Sequence, residues 1–213
     1  MANPVLNAPA APNLPLAPEA YDRPYIDQLN NVQRLFYNRL VDNSQKLFGD
    51  AGVRFLSFPY AAIQRTTDLT FTINTPTLVT CDQNDFLSFT NNTGTDGIVV
   101  DYAGIYNYQF SVQFANTDTQ IHTAWIWLRV NGVDVPGTAS KFDVPNKHGG
   151  SDGYLIAACN FYVELKAGQH VDLYAAVNNT GVYLEAYPAL TSPFALPATP
   201  SVVATLTFVS GVV

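Results

Sequence analysis

The stretch Gly104 to Phe114, GIYNYQFSVQF, leaves this chain little choice of conformation. Tyr106, Tyr108, Phe110, Val112 and Phe114 fall on one face, and Asn107, Gln109, Ser111 and Gln113 on the other. A strict two-residue period over that length specifies a β-strand with one buried face, because successive side chains of an extended chain point to opposite sides. Ten residues later Ala124, Ile126, Leu128 and Val130 alternate with Trp125, Trp127 and Arg129, and Asn131-Gly132 follows. Both residues of an Asn-Gly pair tolerate positive φ, so the pair predicts a tight hairpin turn. The apolar residues of this second strand suffice for a core, yet its opposite face carries two tryptophans. An apolar patch of that kind on a monomer seeks a partner. Trp125 and Trp127, with Tyr106 and Tyr108 of the preceding strand, are therefore the candidate oligomer interface.

Composition narrows the class. Charged residues are 13% of the 213-residue chain, about half of the ~25% usual in soluble domains, which suits a surface partly covered by neighbours. The formal net charge of −7 and the lack of a basic run argue against nucleic-acid binding, which needs clustered Lys and Arg to neutralise phosphates. No stretch approaches the ~20 apolar residues of a membrane span, so no membrane insertion is expected. Cys81 and Cys159 lie far apart in sequence and form no CxxC pair; both read as free, buried thiols.

Four regions follow along the chain. Residues 1–21 form an Ala/Pro/Asn arm whose prolines, Pro15 among them, block helix and sheet ladders and favour an extended path. Residues 22–48 read as a helix, with Asp22 as N-cap, Pro24 in the first turn and Gly49 as terminator. Ile26, Leu29, Gln33, Phe36, Leu40, Asn43 and Leu47 repeat at alternating spacings of three and four. That heptad seam fits self-association of the helix, or packing on the chain's own β-domain. Residues 49–67 read as a connector.

Residues 68–213 read as one all-β domain. Strand candidates are 69–73, 77–80, 86–89, 98–100, 105–114, 123–130, 155–165, 171–177, 182–186 and 202–209, punctuated by turn residues such as Lys166-Ala167-Gly168. About ten short strands at regular spacing predict a jelly-roll sandwich, preceded here by the extended arm and one α-helix.

Chemistry is hard to find. His122, His148 and His170 are isolated and lack metal-ligand spacing. No serine sits in a GxSxG elbow, and Gly149-Gly150-Ser151-Asp152-Gly153 lacks the lysine and helix of a phosphate loop. Asp134 with Asp143, and Asp82 with Asp85, read as solvated loop acids. No cofactor, metal or enzyme activity is expected. Tyr183 and Tyr187 are candidate glycan contacts at an exposed end of the sandwich.

In order, Gly104-Ile105-Tyr106-x-Tyr108-x-Phe110-x-Val112, then Trp127-Leu128-x-Val130-Asn131-Gly132, then Val163-x-Leu165-x-x-Gly168-x-x-Val171-x-Leu173 resemble the tumour-necrosis-factor/complement-C1q jelly-roll superfamily. The tail Pro200 to Leu206 resembles the closing strand of its phage members. The resemblance implies a ten-stranded sandwich that forms compact homotrimers and acts in binding or structure. The run from Ala17 to Val32 resembles the opening of tailed-phage virion proteins. That likeness implies a structural protein located in the virion, most simply capsid decoration. Its partners would be further copies of itself and other virion proteins, the latter held through Pro15, Tyr25, Ile26, Leu29, Phe36 and Leu40. A tail-fibre or collar protein with a tip that binds a cell-surface glycan, and a secreted C1q-like recognition module, are the alternatives.

Overall fold

The computed structural model describes residues 12–16, 18–48, 58–92, 94 and 97–211. The chain forms two units divided between Phe58 and Pro59. In the first, helix α1 runs from Arg23 to Phe48, matching the predicted span. Its opening turn is closed by the Ile26 N–H donating to the Asp22 carbonyl at 3.2 Å. Two i,i+4 pairs lie along its surface, Arg23–Asp27 at 3.9 Å and Asp42–Lys46 at 2.8 Å. Residues 1–11 of the arm lie outside the described residues, as do residues 49–57 of the connector.

Among the described residues the second unit has fourteen strands: β1 (Tyr60–Arg65), β2 (Leu69–Thr70), β3 (Thr77–Leu78), β4 (Gln83–Ser88), β5 (Thr90–Asn92), β6 (Ile98–Val100), β7 (Gly104–Asn116), β8 (His122–Val130), β9 (Val133–Asp134), β10 (Ser140–Val144), β11 (Gly153–Leu165), β12 (His170–Val177), β13 (Val182–Leu184) and β14 (Val202–Ser210). All pairings are antiparallel, in two seven-stranded sheets. The first sheet reads β4-β1-β14-β7-β11, with β13 and β2 continuing beside the far end of β7. The second reads β5-β6-β12-β8-β10, with β3 on β12 and β9 on β8. The long strands cross repeatedly between sheets, and the first and last, β1 and β14, lie side by side. This is the double Greek key of a jelly roll, as the strand pattern predicts.

The two-residue period sets the core. Tyr106, Tyr108, Phe110, Val112 and Phe114 of β7 point between the sheets at 0 to 4% exposure, against Ala124, Ile126 and Leu128 of β8 and Leu173, Ala175 and Val177 of β12. Two expectations are corrected here. Tyr106 and Tyr108 belong to this core and cannot meet a second chain; their place on the inward face of β7 decides it. The Tyr106 hydroxyl donates to the Tyr102 carbonyl at 2.7 Å, and its ring meets Phe208 edge-on. The stretch 49–67 also holds β1, a central strand of the first sheet paired with both β14 and β4. Only Ala61 and Ile63 of β1 point inward, too few apolar anchors to register as a strand in the sequence.

The Asn131-Gly132 turn forms as its chemistry requires, with φ of 48° and 79°, both positive as in a type I′ hairpin.

Candidate interaction surface

Pairing register defines what each sheet shows to solvent. On the first sheet one outward row reads Ser88, Tyr60, Thr207, Asn107, Tyr162. The next reads Phe86, Ala62, Thr205, Gln109, Asn160, and the third Gln64, Val203, Ser111, Ala158. None of these fourteen side chains is charged, in a chain with 27 charged residues; Asp85 and Glu164 flank the field at two edges. Thr205, Thr207, Asn107 and Gln109 lie at its centre, and Tyr60, Phe86, Ile156, Tyr162, Val203 and Val209 are exposed on the same sheet. Within it the Asn107 side-chain oxygen is buried and has no hydrogen-bond partner.

The outer face of the second sheet differs. Trp127, Arg129, Tyr174 and Asp134 form a closed cluster on it. The Trp127 indole N–H donates to the Asp134 carboxylate at 2.7 Å, and the Arg129 Nε donates to the same oxygen at 2.6 Å. The Arg129 guanidinium lies 4.0 Å from the centre of the Tyr174 ring, a stacked cation–π contact. Arg129 first, and then Trp127, hold the Asp134 carboxyl below the usual carboxylate range. Both tryptophans are half-buried within the protomer, so the Trp face is already partly covered by its own chain.

Tyr183 and Tyr187 do come together, on Glu185. Their hydroxyls donate to its two carboxylate oxygens at 3.0 and 2.5 Å. Burial first, then that hydrogen bond, pushes both phenols above their usual range. Both rings are half-buried, and their polar ends are already engaged. The loop acids have work of their own: besides Asp134 on Arg129, Asp82 accepts from the Thr66 N–H at 2.8 Å and from the Thr67 hydroxyl at 3.1 Å. Cys81 is buried and Cys159 half-buried, and both are free. Burial first, with Asp82 adding to it, pushes the Cys81 thiol up to about 12.

In the N-terminal unit the Tyr25 hydroxyl donates to the Pro15 carbonyl at 3.4 Å, which brings two of the expected anchoring residues together. Leu29 and Phe36 are half-buried, while Ile26 and Leu40 stay exposed at 37 and 41%. Among the described residues no helix is long and apolar enough to cross a membrane, and no group of three or more His, Cys, Asp or Glu is placed to hold a metal ion.

Fold and surface together define a jelly-roll module with one sheet face whose central rows carry no charge. No protein-family model matches the chain, and no curated protein matches it. Among solved structures it is similar to the globular domain of the zebrafish complement 1qA protein, at 12% identity and a TM-score of 0.45, over 72% of this chain and 98% of that one.

Sequence reasoning missed the uncharged face. Its alternating Asn, Gln, Ser and Thr look like an ordinary solvated side of a strand, and the tryptophans drew attention to the other sheet. The signal available was negative: five neighbouring strands whose polar side holds no Lys, Arg, Asp or Glu over its central rows.

Proposed function

We propose that the chain is a non-enzymatic structural subunit of a phage virion, a capsid-decoration protein. It assembles as a homotrimer through the outer face of the first sheet and is held to the particle by its N-terminal arm and helix. The observation that carries self-association is the uncharged field around Asn107 on the outer face of the first sheet. Charged residues are depleted at the centre of protein interfaces. The threefold and the virion setting come from the resemblances in the jelly-roll motifs and in the run from Ala17 to Val32. In this reading the tryptophan face of the second sheet looks outward from the trimer.

The test is sedimentation of the full chain with and without Ser111→Arg. Ser111 is exposed in the protomer and lies in the third row of the field, between Val203 and Ala158, so the protomer tolerates arginine there while three copies facing one another do not. The wild type is expected at three times 23.2 kDa and the variant at one times that mass with an unchanged circular dichroism spectrum. A wild type that stays monomeric at high micromolar concentration overturns the reading.

A further inference from the structure

The segment joining β13 to β14 is long but not loose. Tyr187 and Thr199 exchange both backbone hydrogen bonds at 2.9 Å, and Leu190 and Leu196 exchange theirs at 2.9 and 3.0 Å, so residues 187–199 form a hairpin. Its base is fastened near the C-terminal end of β7: the Glu185 N–H donates to the Gln113 carbonyl at 3.1 Å, and the Gln113 N–H donates to the Ser201 carbonyl at 2.8 Å. Yet all eleven residues from Pro188 to Ala198 are exposed, and all but Thr191 and Ser192 are apolar. Leu190, Phe194 and Leu196 are 44, 62 and 39% exposed. No charged residue occurs anywhere after Glu185. A solvated loop is kept in water by polar side chains; an ordered, apolar, charge-free finger is surface awaiting a partner.

The finger's root indicates which partner. The Tyr187 ring meets Tyr154 edge-on, with centroids 6.2 Å apart, and Tyr154 stands with Ile156 and Tyr162 on the outer face of β11. The finger thus continues the uncharged face of the first sheet. It leaves that face beside Arg65 and Val202, at the end of the sandwich opposite Tyr60 and Ser210. In a ring closed through the first sheet that face turns toward the symmetry axis, and fingers rising from it converge. We propose that the finger packs against the same finger of neighbouring copies and closes the far end of the assembly with Leu190, Phe194 and Leu196. The proposal rests on self-association through the first sheet.

The experiment uses the full chain carrying Phe194→Cys, with Cys159→Ser to remove the half-buried thiol. Val133→Cys in the same background is the control, since Val133 is 70% exposed on the hairpin of the second sheet. After mild oxidation with copper–phenanthroline, F194C is expected to give disulfide-linked chains in most molecules and V133C few. Leu190→Asp with Phe194→Asp is expected to weaken subunit association about tenfold or more, the loss that burial of one large apolar side chain implies. An assembled protein whose F194C chains link no better than V133C, or whose association is unchanged by the two aspartates, overturns the finger contact and leaves the sheet interface standing; a lipid surface or an unlike protein is then its occupant. A wild type that does not assemble overturns both.

Discussion

At residue scale, close approach decides more than side-chain chemistry. A Cβ on Gly97 would sit 1.8 Å from the Val171 carbonyl oxygen, and one on Gly104 would sit 2.4 Å from the Phe208 ring. Gly97→Ala and Gly104→Ala are each expected to cost about 1–3 kcal/mol, the usual penalty of overpacking, measured by urea denaturation. Gly104 is legible in the sequence as a break before a strand, but its cause is a contact with the last strand, 104 residues further on in the same chain. The Asp134 carboxyl makes a pH-dependent contact. Its pKa lies below the ordinary 3.8, so the contact is intact above that value and is lost as pH falls through the depressed one. Trp127 fluorescence is expected to change only in that acid window, and Asp134→Asn to show the changed signal at neutral pH. Cys81 should resist iodoacetamide in the native protein while Cys159 reacts, because a thiol raised to about 12 carries almost no thiolate at neutral pH; mass spectrometry reads the difference.

At the scale of elements, all ten strands predicted from alternation are present, several with shorter or shifted ends. The four that escaped, β1, β5, β9 and β10, have two to six residues each. Their apolar anchors are few, and only pairing with a neighbour makes them strands. The passage from β4 to β5 shows what a linear pattern cannot carry. Phe89 has φ of +51° there, which turns the chain from the first sheet into the second, and its ring is held edge-on by Tyr102 with centroids 5.3 Å apart. A left-handed conformation costs an L-residue roughly 1–2 kcal/mol, and an aromatic pair returns about 0.5–1.5 kcal/mol. Phe89→Gly is therefore expected near neutral, the two effects offsetting. Phe89→Val, β-branched and without the ring, should lose about 2 kcal/mol or more. Thermal melts of the two variants separate strain from packing.

On the scale of the whole molecule, the low charge content is legible in the sequence, but not the sheet on which the uncharged rows gather. Burial on one side of a strand is written in its period; contact on the other side is written only in what is missing. In the proposed assembly the N-terminal unit is the anchor. Leu29→Asp with Phe36→Asp on the helix, like deletion of residues 1–48, is expected to abolish incorporation into particles and to leave the circular dichroism of the β-domain unchanged. Full occupancy of particles by the truncated chain would place attachment in the jelly roll instead.

The adjacency of β1 and β14 also governs when this domain is able to form. β14 fills the slot between β1 and β7, contributing Val202, Ala204, Leu206 and Phe208 to the core. Until that strand leaves the ribosome the first sheet stays split, with two long edges open and the core uncapped. Pairing of such distant segments is slow, and unpaired edges invite other chains. A nascent copy therefore cannot close this sheet until β14 has been made, and a stop before Phe208 leaves the slot between β1 and β7 unfilled.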